Sequence, residues 1–477
     1  MSKRNKVQPI IENVAILDVA AEGKAVARIE GMVVFVPFVV PGDIVDIKII
    51  KKKKTFAEGR AVVLRQPSPL RVAPRCPHFG VCGGCKWQIL DYNEQLKAKQ
   101  RQVRDNLERL GNIDCGAMRP ICGSQKIFHY RNKLEYTFST RAWLDNPSSS
   151  IPEPSGALGF HIPGLFDKVL DINHCALQPD LSDRIRLHVR DYARANNLPY
   201  YDIRNHTGFL RNLVIRNTEN GQWMVILIVA ENREDLLLPL LRSLLDQFPE
   251  ISSLQYIVNT KMNDSYGDLD VHLFAGKPYI EEFMDKYQGG GQLKFRINPK
   301  SFYQTNAPQA QKLYSFVAEF ADLKGHETVY DLYTGTGTIA QFVASMCRKV
   351  IGIEYVPEAI DDARINAEIN GFSNTEFFAG DMVDILDDRF ILEHGSPDLV
   401  ITDPPRAGMH EKVVRQILRA DPEKIIYVSC NPATQARDLS LLSERYSVGR
   451  IQPVDMFPHT QHVENVVELL RKKMPLI

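Results

Sequence analysis

The sequence has no apolar run long enough to span a membrane, so we expect no helical membrane segment. Its first residues are basic, but Glu12 and Asp18 interrupt the apolar part that follows, which is not the pattern of a secretory signal. Eight cysteines in 477 residues are too few for a disulfide scaffold and favour metal binding or catalysis. We therefore expect a cytoplasmic protein of about three domains, at ~150 residues each.

The chain also has no net charge, because 58 Lys and Arg residues balance 58 Asp and Glu residues. That balance hides an asymmetry along the chain. Residues 1–75 carry 14 basic and 7 acidic side chains, whereas residues 301–477 carry 17 basic and 25 acidic ones. A basic N-terminal part followed by an acidic C-terminal part suggests that the N-terminal part contacts a polyanion. The run Lys51–Lys54 by itself indicates no more than a solvated surface.

Residues 1–70 contain short alternating apolar runs, punctuated by glycines and by one Pro-Gly pair. Such spacing predicts a small β-barrel of the OB type, a class that binds oligonucleotides on one face. The stretch Gly31–Asp43, which reads GMVVFVPFVVPGD, resembles the core of the TRAM domain. The resemblance implies an RNA-binding barrel, in which Lys51–Lys54 follow a strand and can meet phosphates.

Three of the cysteines lie close together in CPHFGVCGGCKWQ, where Cys76, Cys82 and Cys85 are separated by five and then by two residues. Glycines between them allow a tight turn, so the three thiolates can point at one centre. Zinc sites more often have two C-x₂-C pairs, whereas iron–sulfur clusters are more permissive, so the spacing favours iron–sulfur only slightly. A fourth ligand must come from elsewhere, and the candidates are Cys115, Cys122 and Cys175.

We expect residues 71–300 to form a central mixed α+β domain. The stretch 91–110 has helical periodicity, with Gly111 as a candidate cap, and five later runs are typical of strands. In His129–Lys133, which reads HYRNK, an aromatic is interleaved with cations, a pattern that suits stacking on a base together with phosphate contact. An ordinary strand edge explains this pattern equally well. The stretch Asp145–Gly156 is typical of a turn-rich surface loop.

Residues 301–477 alternate strands with helices, which predicts a doubly wound parallel sheet. In DLYTGTGTI, a strand is followed by a glycine-rich turn and a helix, and such a turn lets a ligand approach the helix N-terminus. Ligands of these sheets bind beyond the carboxyl ends of the strands. The side chains that fall at predicted strand ends are Asp331, Glu354, Asp381, Asp403 and Cys430.

Cys430 follows the buried-strand pattern KIIYV, in the stretch VSCNPAT. A cysteine taken alone is more often structural, because free cysteines are among the most buried residues. Its position in a series with four acids instead favours a nucleophile in a ligand cleft. Pro432 stops the strand, and Glu464 enters a final apolar strand.

The motifs DLYTGTGTI, DPPRAG, VSCNPAT and FPHTQHVE, taken with CPHFGVCGGC, resemble those of the S-adenosylmethionine-dependent RNA uracil-5-methyltransferases. The version with a TRAM domain and a [4Fe–4S] cluster resembles the 23S rRNA enzymes most. The resemblance covers nearly the whole chain and implies a TRAM barrel, a central iron–sulfur domain and a C-terminal Rossmann-like methyltransferase sheet, on which the helix 91–110 packs. We expect 23S rRNA as the substrate, with tRNA as the alternative, and a monomer.

By that resemblance, Cys430 is the nucleophile and Glu464 is the general base. Two departures from the family pattern are Thr334, where many relatives carry cysteine, and Thr338, where some carry asparagine. The residues that match the cofactor site are Gln304, Tyr333, Glu354, Asp381 and Asp403. The residues that match the cluster ligands are Cys76, Cys82, Cys85 and Cys175.

Two other classes of protein compete with this interpretation. A cytosine-5 methyltransferase uses the same covalent chemistry, but it places its nucleophile differently and lacks the FPHTxHVE motif. A TRAM-bearing RNA-binding protein without catalysis would not need Cys430, Glu464 and Asp403 together. A nicotinamide enzyme would not need Cys430.

Overall fold

The computed structural model describes residues 10–144 and 156–473. Residues 145–155 of the predicted surface loop lie outside the described residues. The chain divides into two compact units, of which the first comprises Met1–Gln102 and Phe457–His462 and the second Val103–Met456 and Val463–Ile477. The division into three domains at residues 70 and 300 stays a prediction. Within the described ranges, no helix is long and apolar enough to cross a membrane.

The first unit contains a closed five-stranded barrel, in the order β1-β2-β3-β5-β4. Small and β-branched side chains on alternate positions fill its interior, and Ala27, Val36 and Ile47 are completely buried. This confirms the barrel predicted for the N-terminal region. The strands are β1 (Ile10–Val19), β2 (Ala25–Ile29), β3 (Met32–Val36), β4 (Ile44–Lys52) and β5 (Phe56–Gln66), with a 3₁₀ turn at Ala21–Gly23.

The lysine run lies at the end of the β4–β5 hairpin. Lys51 and Lys52 belong to β4, so the lysine run begins within the strand and not, as predicted, after it. The next two lysines form the turn, and the Lys53 amine lies 5.0 Å from the centre of the Phe56 ring. All four lysine side chains are exposed, as a phosphate-binding surface requires. Contact with RNA stays a prediction.

Helix α1 (Tyr92–Gly111) is one residue offset from the predicted span. The residue that leaves the helical conformation is Asn112, with a left-handed φ of 51°, so Gly111 does not serve as the cap. Gly111 is needed for a different reason, because a Cβ there would lie 2.9 Å from the carbonyl oxygen of Ala436. From Val103 onward, this helix contributes Val103 and Leu107 to the core of the second unit.

One seven-stranded sheet of the second unit has the order β12-β11-β10-β9-β6-β7-β8. Helices α2 (Asp180–Ala195) and α3 (Glu234–Gln247) bury their apolar faces in the same core as its central strands. Its strands are β6 (Lys133–Ser139), β7 (Ala157–His161), β8 (Val169–Asp171), β9 (Leu210–Asn217), β10 (Trp223–Val229), β11 (Ile251–Val258) and β12 (His272–Gly276). A separate hairpin joins β13 (Ile280–Asp285) to β14 (Gln292–Ile297).

The second seven-stranded sheet has the order β17-β16-β15-β18-β19-β21-β20. The first five strands in this order are parallel, as predicted, whereas β21 is antiparallel to both of its neighbours. The strands are β15 (Thr328–Leu332), β16 (Lys349–Glu354), β17 (Thr375–Ala379), β18 (Leu399–Thr402), β19 (Lys424–Ser429), β20 (Tyr446–Val454) and β21 (Glu464–Arg471). The helices are α4 (Ala307–Ala321), α5 (Thr338–Ala344), α6 (Pro357–Ile369), α7 (Met382–Ile385), α8 (Asp388–His394), α9 (Glu411–Ala420) and α10 (Pro432–Leu442).

Candidate active site

The structure brings the predicted side chains to one edge of this sheet. Glu354 is the last residue of β16, and Asp403 and Cys430 directly follow β18 and β19. Asp331 is the last residue but one of β15, and Asp381 lies two residues beyond β17. Because these five strands are parallel, their carboxyl ends form a single edge, where ligands of such sheets bind.

Glu464 reaches the same edge from the opposite direction. It is the first residue of β21, which runs antiparallel between β19 and β20, so the strand begins where its parallel neighbours end. The next residue, Asn465, pairs with Ser429, which precedes Cys430. The Glu464 side chain is only 5% exposed. The register thus places a buried carboxyl next to the turn that carries the thiol.

The charges at this edge influence one another. Burial raises the pKa of Cys430 to about 11, and the charges of Glu464 and Asp403 contribute to that increase, whereas Arg406 opposes it. Burial also raises the pKa of Glu464 well above its usual value, with Asp403 adding to the effect. The pKa of Asp403 is raised to about 7 by burial and by Asp331. Ionisation of either Glu464 or Asp403 therefore makes the thiol harder to deprotonate.

The turn after β19 is fixed by its own side chains. The Ser429 hydroxyl accepts a hydrogen bond from the Asn431 amide at 3.1 Å, and the Asn431 side chain caps α10 by accepting from the Ala433 amide at 3.2 Å. Asn431 also donates to the carbonyl of Arg406 at 2.9 Å. Pro432 begins the helix, a position for which its fixed φ is suited. Its main role is therefore to start α10 two residues after Cys430.

A pair of buried amides connects the thiol turn to the strand of Glu464. The Gln435 amide group donates to the carbonyl of Tyr427 at 3.0 Å and to that of Asn465 at 3.1 Å. Asn465 donates in return to the Gln435 side-chain oxygen at 2.8 Å. Both side chains are completely buried. We did not predict either residue, since neither stands in a motif that indicates long-range pairing.

Asp331 organises the glycine-rich turn between β15 and α5. It accepts hydrogen bonds from the Thr334 hydroxyl at 2.5 Å and from the Ala340 amide at 3.0 Å, while burial raises its pKa to about 7. Thr334, one of the two departures from the family pattern, thus uses its hydroxyl inside the turn. Gly337 has a φ of 74°, and a Cβ there would lie 2.9 Å from that of Ala363. The turn therefore has a fixed conformation that depends on glycine at this position.

Three predicted cofactor residues surround this turn. Glu354 accepts hydrogen bonds from the backbone amides of Gly335 and Val356, both at 3.1 Å. Tyr333 adopts a left-handed φ of 62°. Burial raises its pKa to about 12, and the negative charge of Asp381 adds to this increase. Asp381 itself is exposed and caps α7 by accepting from the Val383 amide at 2.9 Å. Glu354 is thus hydrogen-bonded to the turn and Tyr333 lies just before its glycines, whereas Asp381 caps a separate short helix.

Gln304, the remaining predicted cofactor residue, precedes α4. Its carbonyl accepts a hydrogen bond from the Asn132 side chain at 3.0 Å, and the carbonyl of Thr305 accepts from the Asn132 amide at 2.8 Å. The segment with Gln304 is therefore held by the residues that lead into β6.

The predicted cluster cysteines are distributed over the two units. Cys76, Cys82 and Cys85 belong to the first unit and Cys175 to the second. The Gln88 side chain accepts from the Cys76 amide at 3.0 Å and donates to the Cys85 sulfur at 3.2 Å, so these two cysteines share a partner. Among residues 10–144 and 156–473, no group of three or more His, Cys, Asp or Glu side chains is arranged to hold a metal ion. The ligand set stays a prediction.

Comparison with known proteins agrees with this architecture. Residues 270–473 match the family described as tRNA (uracil-5-)-methyltransferase, and residues 11–62 match the TRAM domain. An uncharacterized RNA methyltransferase of Bacteroides thetaiotaomicron is 56% identical over 94% of this chain and 99% of its own length. One from Porphyromonas gingivalis is 54% identical over 96% of this chain and 99% of its own.

A solved structure is also similar to the whole chain. The tRNA (uracil-54, C5)-methyltransferase of Pyrococcus abyssi, in complex with S-adenosyl-L-homocysteine, has a TM-score of 0.73 at 28% identity. The match covers 96% of this chain and 100% of that one. The match of residues 270–473 to the family model, together with identity above one half to two RNA methyltransferases along nearly their full length, shows that this chain belongs to the tRNA (uracil-5-)-methyltransferase family of RNA-modifying enzymes.

Proposed function

We propose that this chain is an S-adenosylmethionine-dependent RNA uracil-5-methyltransferase in which Cys430 is the nucleophile and Glu464 the general base. The observation that carries the proposal is the placement of a thiol and a buried carboxyl at one sheet edge, where the charge of Glu464 helps to raise the pKa of Cys430. A thiol next to a buried base is the arrangement that covalent catalysis on a pyrimidine ring needs.

The first steps require the thiol. C5 of uracil is a poor nucleophile, and addition of the Cys430 thiolate to C6 moves the ring π electrons onto C5 and O4 as an enolate. S-adenosylmethionine, when bound, supplies an electrophilic methyl group to C5. Because the pKa of Cys430 is raised to about 11, the thiol must lose its proton as it adds, and Asp403 is the neighbouring group that can accept it while Glu464 stays a carboxylate for the last step.

The last step requires the carboxylate. The methylated adduct still carries the C5 proton, and Glu464 removes it. The electrons of the C5–H bond re-form the C5–C6 double bond, and the C6–S bond breaks to release Cys430 as a thiolate. Burial makes Glu464 a stronger base than a solvated carboxylate, and the positive charge of Arg406 opposes that increase in pKa.

The cofactor is proposed to lie against the glycine-rich turn. The residues that could hold it are at the same sheet edge as Cys430, and a relative of the same fold was solved with S-adenosyl-L-homocysteine. Calorimetry with S-adenosyl-L-homocysteine tests this, because Glu354→Gln should weaken binding while leaving the thermal unfolding temperature close to that of the wild type. The proposed cofactor residues are Gln304, Tyr333, Glu354, Asp381 and Asp403.

A [4Fe–4S] cluster held by the four predicted cysteines is proposed as a structural centre. The support is the close spacing of three cysteines, the resemblance to cluster-bearing relatives, and the Gln88 amide that donates to the Cys85 sulfur, a type of contact that stabilises coordinating thiolates. The methyl transfer itself needs no electron transfer. The ligands are Cys76, Cys82, Cys85 and Cys175.

We propose 23S rRNA as the substrate, on the basis of the TRAM barrel and the cysteine cluster together. The alternative is tRNA, which the family description and the name of the Pyrococcus abyssi enzyme favour. Mapping of 5-methyluridine in rRNA and tRNA from a strain that lacks this protein would distinguish the two. Loss of a methyl group from tRNA alone would contradict the rRNA assignment.

Trapping with RNA that carries 5-fluorouridine tests the chemistry, because fluorine at C5 cannot leave as a cation and the adduct persists. Wild-type protein should form a covalent complex that survives a denaturing gel, and Cys430→Ala should form none. Cys347→Ala is the matched control, since Cys347 is a buried thiol of the same unit that lies at the opposite end of β16 from Glu354. An adduct in Cys430→Ala would remove this residue from the nucleophile role.

Glu464→Gln provides a second test with ordinary uridine. Addition and methyl transfer precede proton removal, so this variant should accumulate a methylated protein–RNA adduct that is released slowly. A radiolabelled methyl donor makes the adduct visible on the same gel. If Glu464→Gln released product at the wild-type rate, the base would have to be another residue.

A further inference from the structure

Two cations face each other across the β6–β9 pair of the second unit. Lys133 is directly opposite Arg216 in the antiparallel register, and residues paired in this way project from the same face of the sheet. Like charges directly opposite one another destabilise a sheet, so this pairing needs a compensating interaction. The Arg216 side chain is only 4% exposed, which increases the cost of the pairing.

Arg216 obtains part of its compensation from the segment that precedes Gln304. Its guanidinium donates to the carbonyl of Asn298 at 3.1 Å and to that of Ser301 at 2.6 Å. Asn132, the residue before Lys133, holds the same segment further along, at Gln304 and Thr305. The face that carries Lys133 is therefore adjacent to a segment of the candidate active site.

Lys133 is compensated less completely. The charges that act on it are those of Arg216, then of Glu135 two residues along the strand, which raises its pKa, and then of Arg131, whose Nε donates to the Lys133 carbonyl at 3.0 Å. The Glu135 carboxylate accepts a hydrogen bond from the Tyr266 hydroxyl at 3.1 Å. In the part of the chain that the structure describes, neither Lys133 nor Arg131 forms a salt bridge. Burial and the two arginines lower the pKa of Lys133 to about 8.

We propose that Arg131 and Lys133 bind a backbone phosphate of the RNA strand that enters the active site. This inference rests on the proposed function, which supplies RNA as the substrate. A phosphate provides the missing negative charge opposite Arg216, and its oxygens accept hydrogen bonds from both side chains. Because the phosphate favours the charged amine, Lys133 takes up a proton when RNA binds at a pH above the pKa of Lys133 in the free protein.

The salt dependence of binding measures the contact. A short fluorescein-labelled oligouridylate serves as the probe, in fluorescence anisotropy without methyl donor. Each lost phosphate contact should reduce the slope of log affinity against log salt by about 0.7 for a single strand. Lys133→Gln and Arg131→Gln should each show this reduction. Lys349→Gln is the matched control, because Lys349 begins β16, at the sheet edge opposite the candidate site, and should leave the slope unchanged.

The pH dependence separates Lys133 from ordinary surface lysines, whose pKa lies near 10.4. With a pKa of about 8, Lys133 loses its charge between about pH 7 and about pH 9, so the affinity of the wild type should fall by up to about tenfold over that range. Lys133→Arg keeps its charge throughout and should bind at about pH 9 with an affinity close to its value at about pH 7. This variant also shows whether a loss in Lys133→Gln reflects charge or folding.

Two results would overturn the proposal. One is an unchanged salt slope in Lys133→Gln, and the other is the same decrease in affinity with pH in wild type and Lys133→Arg. A failure of the proposed function is recognisable separately, since the wild-type protein would then form no 5-methyluridine in RNA, whatever the binding data show.

Discussion

The rate at which Cys430 reacts with iodoacetamide tests the electrostatics of the site. Two single substitutions should change this rate in opposite directions. Above the raised pKa of Glu464, Glu464→Gln removes a negative charge that raises the pKa of Cys430 and should accelerate alkylation, whereas Arg406→Gln removes a positive charge that lowers it and should slow alkylation. The sign of each effect follows from the thiolate being the reactive form.

The magnitude follows from the pKa of about 11, against an unperturbed value of 9.0. A shift of two units leaves about 100-fold less thiolate at neutral pH. The more basic thiolate is intrinsically more nucleophilic, with a Brønsted coefficient of about 0.45, which recovers about tenfold. Cys430 should thus react about tenfold more slowly than an exposed cysteine. Glu464→Gln should recover part of that factor.

The assay is alkylation at several pH values, with quantification of the Cys430 peptide by mass spectrometry so that the other seven cysteines do not interfere. Arg419→Gln is the control for Arg406→Gln, because Arg419 is an exposed arginine at the end of α9. A slower reaction in Glu464→Gln, or a faster one in Arg406→Gln, would refute the electrostatic argument.

Three further predictions concern the cluster, the barrel and the amide pair. Anaerobically purified protein should contain about four irons with labile sulfide, and Cys175→Ser should lower both the iron content and solubility; one zinc without sulfide would contradict this. Replacement of Lys51–Lys54 by glutamine should weaken oligouridylate binding and reduce the slope of log affinity against log salt by about 0.7 for each lost contact. An unchanged slope would mean that these lysines are solvated surface residues that do not contact RNA. Gln435→Leu leaves the Asn465 amide without its buried partner and should lower the free energy of unfolding by about 1–3 kcal/mol in urea titrations. Unchanged stability would show that this amide pair is not needed.

The parts of the fold that could be predicted are those with a local signal. Alternating apolar residues indicated the barrel strands, and strand ends next to polar residues indicated the edge with Asp403 and Cys430. The start of the last strand at Glu464 was also visible, because an acid there precedes an unbroken apolar run. In each case, the residues that carry the signal are neighbours in the sequence.

Features that depend on pairing between distant residues could not be predicted. The antiparallel direction of β21 leaves no trace in its own composition, since a buried strand is apolar in either direction. The Gln435–Asn465 pair and the register of Lys133 with Arg216 are likewise set by tertiary packing. Gly111 resembled a helix cap, whereas its actual constraint comes from a backbone that approaches it 325 residues later, at Ala436.

The position of β21 inside the sheet has a consequence for the lifetime of the enzyme on its RNA. Edge strands detach most easily in local openings, and β20 is the last strand on this side of the sheet, with only short bridges to Met118 and Cys122 on its outer side, whereas β21 pairs with a strand on both sides. If the strand with Glu464 were the one to detach, the thiol turn on β19 would remain, and an adduct formed at that moment would have no group to release it. Because the strand that carries Glu464 lies inside the sheet, the enzyme is protected from remaining covalently attached to its RNA. Amide hydrogen exchange should accordingly be slower in β21 than in β20.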